Sequence, residues 1–150
     1  MIHGTYIGQG GDLTEVKKLR DIIFQTEELS SYDLHEELDP MALNAIVDVD
    51  GEIIGTGRLV LDMIEDIFYV DHIGILPEYR GKQSGEFTLR MLADKADQCN
   101  AEDLQAEVPE CAAGFFRKMF FEETGSKDGL LRMKAKICAF HSCCGHNCNG

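Results

Sequence analysis

The sequence predicts a single domain of mixed α/β class, in which a mixed sheet is flanked by helices. Its 150 residues suit one domain with its own apolar core. Strand-like segments joined by tight turns occupy much of the first half, and helix-like and strand-like segments alternate in the second half. Hairpins give antiparallel neighbours and strand–helix–strand crossovers give parallel ones, so both kinds of pairing are expected in one sheet.

The chain begins with a short strand followed by an amphipathic helix. The strand is predicted near residues 2–7, before a glycine-rich turn. Apolar residues recur at helical spacing from Leu13 onward, which predicts a helix that extends to about Glu28. Asp12 and Glu15 have the spacing of a capping box at the start of this helix.

Three antiparallel strands are predicted next, after a polar loop that ends at Pro40. Two β-rich runs within residues 42–62 flank Asp50-Gly51, and this dipeptide favours the tight turn of a hairpin. The segment "DIFYVDHIGIL", residues 66–76, predicts the third strand. The three runs therefore form an antiparallel meander.

Helices and strands alternate in the rest of the chain. A helix is predicted from Ser84 to about Cys99, and the short strand "DLQAEV" follows it. The segment "ECAAGFFRKMFFEE" predicts a second late helix, and "GLLRMKAKI" predicts a last strand. No linker interrupts this pattern, so the domain is expected to span residues 1–137, with a Cys/His-rich tail at residues 138–150.

The charge of the chain limits its partners. It carries 14 basic and 27 acidic residues, for a formal net charge of −13. This balance disfavours nucleic acid and anionic membranes and mildly favours a cationic small molecule, although it is also common in soluble bacterial proteins. No segment approaches the length of a membrane span, and the N-terminus lacks the pattern of a secretory signal, so a cytoplasmic location is expected.

The stretch "YRGKQSG" at residues 79–85 lies between a predicted strand and a predicted helix. A glycine-bearing loop at this position leaves backbone N–H groups unpaired at the start of the helix, where the helix dipole adds partial positive charge. Arg80 and Lys82 add full charges, and Gly81 and Gly85 allow a ligand to approach the backbone closely. The stretch therefore predicts a phosphate-binding loop.

This loop resembles motif A of the GNAT superfamily of acyl-CoA N-acyltransferases, whose pattern is Gln/Arg-x-x-Gly-x-Gly/Ala after a strand. The residues that fill the pattern are Arg80, Gly81, Lys82, Gln83, Ser84 and Gly85, with Gln83 where a glycine is usual. The resemblance covers roughly residues 19–133 and is closest to the small ElaA-type branch. It implies a mixed, mostly antiparallel sheet that is splayed between its fourth and fifth strands.

The resemblance also implies where acetyl-CoA, the acyl-donor substrate, would bind. Its pantetheine would pair with the backbone of Ile73, Gly74 and Ile75, and its pyrophosphate would rest on the amides of residues 80–85. Phe116, in the late helix, is expected to contact the cofactor as well. It falls at the position where the family has a tyrosine that protonates the leaving thiolate.

The loss of that hydroxyl leaves several sources for the proton. Tyr69, Tyr79 or a water could supply it, or the matching position could be shifted by one residue. A thiol with a pKa near 8 or 9 can also leave as the thiolate. Slow or absent catalysis is the remaining alternative.

Family bases lie on the fourth strand, at positions that fall here on Tyr69 and Asp71. Strand alternation predicts one shared face for four side chains: Tyr69, Asp71, Ile73 and Ile75. Asp71 is the predicted base, either directly or through water, and the alternative is an aspartate that only attracts a cationic substrate. His72 is expected on the opposite face, as a packed or hydrogen-bonded side chain.

The resemblance implies an N-acetyltransferase that moves an acetyl group to the primary amine of a small acceptor, by direct attack in a ternary complex. An acidic loop stands where the family builds its acceptor pocket: Glu27, Glu28, Asp33, His35, Glu36, Glu37 and Asp39. If this loop is a pocket rather than a solvated surface, the acceptor is a cation. A second hypothesis is a sensor that binds acyl-CoA with little turnover.

A third hypothesis places the function in the C-terminal tail, as a metal-binding or redox protein. The tail brings six soft ligands close together: Cys138, His141, Cys143, Cys144, His146 and Cys148. Zinc takes four such ligands, yet the spacing does not match a recognised finger. A disulfide formed in air, or docking on a neighbouring subunit in a homodimer, are the alternatives.

Overall fold

A computed structural model of the chain describes residues 1–25 and 36–141. Within these ranges the strands form one seven-stranded sheet in the order β1-β2-β3-β4-β5-β7-β6. The strands are β1 (Ile2–Ile7), β2 (Leu43–Val49), β3 (Glu52–Asp62), β4 (Ile67–Ile75), β5 (Asp103–Val108), β6 (Glu122–Lys127) and β7 (Leu130–Lys136). The α-helices are α1 (Thr14–Ile23), α2 (Ser84–Gln98) and α3 (Ala113–Lys118). Short 3-10 turns cover Glu36–Met41, Pro77–Tyr79, Glu110–Ala112 and Ile137–Phe140.

The sheet is mixed, as predicted. β4 and β5 are parallel, and the other neighbouring strands are antiparallel. The predicted hairpin turn between β2 and β3 is confirmed: Asp50 and Gly51 have φ values of 51° and 88°, which the mirror-image turns of tight hairpins require. The two antiparallel parts of the sheet, β1–β4 and β5–β7–β6, therefore meet at the parallel pair of β4 and β5.

The prediction of a late helix over residues 110–123 is wrong at its C-terminal end. α3 ends at Lys118, and the chain then reverses at Phe120, which has a φ of 75°. Residues 122–127 form β6, a polar edge strand that the sequence analysis missed. The missed signal is Asp128-Gly129, which forms the β6–β7 turn at φ values of 53° and 82°, the same turn chemistry as Asp50-Gly51.

The predictions for the first helix need two corrections. α1 ends at Ile23, before the expected end at Glu28. Its start does not form a capping box, because Asp12 Oδ1 accepts hydrogen bonds from the amide and hydroxyl of Thr14, at 3.0 and 2.6 Å. Glu15 instead forms an exposed ion pair with Lys18 at 3.5 Å.

The two larger helices cover opposite faces of the sheet. α2 packs across β1–β4 and buries Leu89, Leu92 and Ala96 completely. α1 packs on the other face, over β3 and β4, through Val16, Leu19 and Ile23. These faces are called here the α2 face and the α1 face.

Candidate active site

A cleft of about 550 Å³ opens where β4 and β5 separate. The two strands are paired only at Tyr69 and Gln105, and they diverge beyond that point. The open edge of β4 from Asp71 to Ile75 forms one wall, and Glu107 and Val108 of β5 begin the other. Strands that diverge in this way leave backbone groups of β4 available to a ligand.

A β-bulge interrupts β4 in this wall. Two of its residues, His72 and Ile73, lie opposite Gly57 alone, because the register shifts between Thr56 and Arg58. His72 has a φ of 55°, a backbone conformation that residues other than glycine adopt rarely. The bulge therefore reverses the alternation of side chains in the second half of the strand.

The reversal makes the predicted shared face wrong. Asp71 lies on the α1 face, where it contacts Arg58. Ile73 lies on the α2 face, because a Cβ built on Gly57 would meet Ile73 together with Thr88 of α2. The four side chains expected on one face, Tyr69, Asp71, Ile73 and Ile75, are therefore divided between the two faces.

His72 is buried on the α1 face and not on the opposite face as expected. Its side chain is 2% exposed, and its ring centroid lies 6.1 Å from that of Phe24 at the end of α1. Phe24 also lies over Gly74, where an added Cβ would be 3.1 Å from the Phe24 ring. The bulge thus places His72 and Phe24 together on the α1 side of the cleft.

The predicted phosphate-binding loop runs from the Pro77–Tyr79 turn to the start of α2. Gly81 and Gln83 both have left-handed backbone conformations, with φ values of 78° and 65°. This conformation costs an L-residue about 1–2 kcal/mol, which explains physically why glycine suits position 83. No side chain caps the N-terminus of α2, and Ser84, Gly85 and Glu86 of its first turn line the cleft. The orphan amides of this turn are therefore directed to one end of the cleft.

The two loop cations differ in their contacts. Arg80 Nε donates a hydrogen bond to the carbonyl of Ile75 at 3.0 Å, which ties the loop to the end of β4. The ammonium of Lys82 lies 5.9 Å from the ring centroid of Tyr79. The hydroxyl of Tyr79 in turn donates to Glu52 at the start of β3. Hydrogen bonds thus hold the loop to the end of β4 and to the start of β3.

Aromatic side chains of α3 form the wall across from β4. Phe116 is 5% exposed and lines the cleft, with its ring edge-to-face against Phe115 and Phe121 at centroid distances of 5.3 and 5.1 Å. Phe115 packs so closely on Gly85 that a Cβ there would lie 3.2 Å from its ring. The wall is apolar at the position where a family tyrosine is expected.

Neither candidate tyrosine presents an uncommitted hydroxyl in the described part of the cleft. Tyr79 lines the cleft but donates its hydroxyl to Glu52. Tyr69 is not among the described residues that line it. Burial raises the pKa of Tyr69, and the neighbouring charge of Asp71 adds to this shift.

A buried network of charged side chains lies behind the bulge. Asp71 accepts two hydrogen bonds from Arg58, from Nε and Nη2, both at 2.7 Å. The third nitrogen of Arg58 donates to Asp39 at 3.0 Å. Arg20 of α1 binds the same Asp39 at 2.7 and 3.0 Å and donates to Asn44 at 2.8 Å. The network links α1, the Glu36–Met41 turn, β3 and β4.

Both arginines of this network are almost inaccessible, with Arg20 1% and Arg58 0% exposed. Burial raises the pKa of Asp71, against the opposing effect of the Arg58 guanidinium. Burial also acts on Asp39, but hydrogen bonds and charge from Arg20 and Arg58 outweigh it and hold its pKa below the usual value. Two acids and two arginines balance one another, which makes their joint burial tolerable.

The network changes the interpretation of the predicted acidic loop. Asp39 is 5% exposed and paired with two arginines, so it is a buried structural group and not part of a solvated loop or an open pocket. Glu36 and Glu37 are exposed. The remaining loop residues, Glu27, Glu28, Asp33 and His35, lie outside the described residues.

Glu107 of β5 is a candidate functional residue that the sequence analysis missed. It lines the cleft two positions beyond Gln105, as Asp71 lies two positions beyond Tyr69 on the paired strand. Its side chain is exposed, and it makes no ion pair within the described residues. Alternation in "DLQAEV" predicts an outward acid at this position, but only the register with β4 brings it opposite Asp71.

The first residues of the predicted tail pack onto the domain. The carbonyl of Phe140 accepts a hydrogen bond from Arg90 at 3.3 Å, and His141 Nε2 lies 3.2 Å from Asp97. Cys138 is half-buried. Among residues 1–25 and 36–141 no His/Cys/Asp/Glu cluster suits a metal ion. The other predicted ligands, Cys143, Cys144, His146 and Cys148, lie outside the described residues.

Among the helices of the described ranges, none has the length and hydrophobicity of a membrane span.

The comparison with known families agrees with the geometry of the cleft. The family model for the acetyltransferase (GNAT) family matches residues 13–120. No curated protein sequence matches the chain.

Solved structures share the fold over nearly the whole chain. An acyl-CoA N-acyltransferase from Pseudomonas aeruginosa has a TM-score of 0.74 at 14% identity, covering 90% of this chain and 99% of that one. A PaiA N-acetyltransferase from Thermoplasma acidophilum, in complex with coenzyme A, has a TM-score of 0.71 at 12% identity, covering 91% of this chain and 99% of that one. The ribosomal-protein-S18-alanine N-acetyltransferase from Escherichia coli has a TM-score of 0.68 at 16% identity, covering 91% of this chain and 94% of that one. At these identities the likeness establishes the fold alone.

Proposed function

The chain belongs to the acetyltransferase (GNAT) family, and we propose that it is an N-acetyltransferase that moves an acetyl group from acetyl-CoA to the primary amine of a small, cationic acceptor. One observation carries this proposal. The cleft between β4 and β5 ends at the uncapped N-terminus of α2, so an open strand edge and a set of orphan amides face the same space. A ligand with an amide-bearing arm and a diphosphate fits both.

The residues present fit coenzyme A in their chemistry. The amides of the first turn of α2 and the left-handed loop at Gly81 offer hydrogen-bond donors to the pyrophosphate, and Lys82 adds charge. The backbone of Ile73, Gly74 and Ile75 offers the open strand edge to pantetheine. The apolar wall at Phe116 suits the methylene groups of the arm. The proposed donor site therefore keeps the residues expected from the sequence, and all of them except Lys82 line the cleft.

The proposed reaction is a direct attack of the neutral amine on the thioester carbonyl. The C–N bond forms, the C–S bond breaks, the amine loses a proton, and the sulfur leaves as thiolate or thiol. The protein has to remove the ammonium proton before the attack and polarise the carbonyl. A backbone N–H in the bulge of β4 is the proposed donor to the carbonyl oxygen.

Two carboxylates on the acceptor side are candidates for the base. Asp71 is the base that the sequence predicts, yet both of its oxygens accept hydrogen bonds from Arg58. Glu107 lies across the cleft with an exposed carboxylate that no described residue pairs. We therefore propose that Glu107 receives the proton, directly or through water, and that Asp71 acts if Glu107 does not.

Two variants separate these roles. We expect Glu107→Gln to lower kcat/KM for the amine by about 100-fold and to flatten the acidic limb of the pH–rate profile, as loss of a general base does. Asp71→Asn is expected to leave the acidic limb in place. Acetyl-CoA affinity serves as the control for both. If Asp71→Asn alone abolishes the limb, the base is Asp71.

The source of the thiolate proton is also part of the proposal. Because Phe116 has no hydroxyl and Tyr79 is bound to Glu52, we propose that a water protonates the sulfur or that the thiolate leaves directly. This arrangement also fits the sensor hypothesis, in which acyl-CoA binds with little turnover. A zinc-binding tail, a homodimer and a cytoplasmic location remain predictions.

The proposed function is tested in two steps on the full chain. A thermal-shift titration with acetyl-CoA is expected to raise the melting temperature, because a ligand that binds only the folded state stabilises it. Thiol release is then measured with a panel of mono-, di- and polyamines, and cationic acceptors are expected to turn over fastest. Binding without turnover across the panel would favour a sensor, and no binding would contradict both hypotheses. Metal analysis of freshly purified protein tests the tail.

A further inference from the structure

The end of α1 packs directly on the bare backbone of β4. A Cβ on Gly74 would lie 2.6 Å from Ile23 and 3.1 Å from the ring of Phe24, so any side chain at position 74 would push the helix away. Ile23 is 3% exposed and Phe24 is half-buried, and both line the cleft. Gly74 therefore lets α1 narrow the cleft on its acceptor side.

This narrow point lies where the acyl end of the donor is expected. The diphosphate site is at the loop beyond Ile75, and the cleft closes where Tyr69 and Gln105 pair. Between Gly74 and Asp71 there is roughly 10 Å of strand. The thioester must lie along this length, because the arm enters from the loop and cannot pass the closed end. Phe24 and His72 stand over the same stretch, with ring centroids 6.1 Å apart.

We propose that Phe24, seated on Gly74 and against His72, determines the acyl-chain specificity of the site. The inference rests on the proposed function, since it assumes that an acyl-CoA occupies the cleft. The Phe24 ring leaves room for a methyl group and excludes longer chains from the acceptor side of β4. Overpacking of a closed apolar site is unfavourable, so each added methylene meets the ring.

The test measures acyl-CoA selectivity on the full chain. Acetyl-, propionyl- and butyryl-CoA are titrated into wild type, Phe24→Ala and Phe24→Leu by calorimetry, and thiol release with one fixed amine gives kcat/KM for each thioester. We expect Phe24→Ala to raise the butyryl-to-acetyl ratio of kcat/KM about 15-fold, since each buried methylene contributes about fourfold. The ratio for Phe24→Leu is expected to fall between those of wild type and Phe24→Ala. This variant keeps an apolar side chain at the end of the helix, so it still tests the inference if the alanine variant unfolds.

Ile22→Ala is the matched control, because Ile22 is 62% exposed on the same helix and does not line the cleft. Its ratio is expected to equal that of wild type. An unchanged ratio in both Phe24 variants overturns the inference, as does an equal rise of the ratio in Ile22→Ala. If wild type binds none of the three thioesters, the proposed function fails as well, which distinguishes that outcome from a failure of the inference alone.

Discussion

Replacing Arg58 by methionine is expected to lower the free energy of unfolding by about 3–5 kcal/mol, the usual cost of removing one partner of a buried ion pair. The guanidinium is completely buried and donates to both Asp71 and Asp39. Methionine fills much of the volume of the arginine side chain, so the lost stability comes from the carboxylate that stays buried without its cation. Asp39 keeps Arg20, whereas Asp71 loses its bidentate partner. Urea denaturation followed by circular dichroism measures the change.

A matched control is available on the surface. Arg117 lies 3.6 Å from Glu123, and both side chains are about half exposed. Arg117→Met is expected to change stability by less than about 1 kcal/mol, because water and salt screen an exposed pair. Equal effects of the two substitutions would contradict the role assigned to the buried network.

The pH dependence of the Arg58→Met effect gives a second check. Burial raises the pKa of Asp71, and the variant lacks the Arg58 charge that opposes this shift. The folded state then holds the Asp71 proton more tightly than the unfolded chain does. Stability of the variant, relative to wild type, should therefore fall as the pH rises above the pKa of Asp71 in the folded wild-type protein, which burial already holds above the unfolded value. A cost that is the same at pH 5 and pH 8 would show that Asp71 is not the group left unpaired.

The loop at one end of the cleft could be predicted from the sequence because its signals are local. The glycines and cations of residues 80–85 stand next to one another in the chain, and the loop is fixed by the strand before it and the helix after it. Position 83 illustrates this locality. A residue at the N-terminus of α2 with a φ of 65° favours glycine, and the departure at Gln83 is visible in the sequence before the backbone is known.

The arrangement on the α1 side of the cleft could not be predicted, because the residues that meet there are distant in sequence. In the sequence Arg58 is one residue of a strand, and only the register of β3 with β4 brings it to Asp71. The bulge at His72 has no signal of its own in "YVDHIGI", and it inverts every side chain after it. Glu107 depends on the parallel pairing of β4 with β5, which joins segments of the chain more than thirty residues apart.

Combined replacement Arg80→Ala/Gly85→Trp is expected to weaken acetyl-CoA binding by at least about 100-fold. Arg80 ties the loop to the end of β4 through the carbonyl of Ile75. A tryptophan at Gly85 has to displace Phe115, whose ring already lies within 3.2 Å of a Cβ at that position, and it covers the first-turn amides of α2. Loss of two hydrogen bonds to a charged ligand costs about 3–6 kcal/mol, which corresponds to this factor or more. Isothermal titration calorimetry measures the affinity.

The control for this variant changes the same residue types away from the cleft. Arg117→Ala/Gly125→Trp removes an exposed arginine and adds a tryptophan at a glycine with open space around it, and neither residue lines the cleft. Its affinity for acetyl-CoA is expected to equal that of wild type.

Circular dichroism establishes that both double variants are folded. A third variant, Arg80→Ala/Lys82→Ala, adds no bulk and is expected to lose about tenfold in affinity for acetyl-CoA. Wild-type affinity in all of these variants would show that the diphosphate does not bind at this loop.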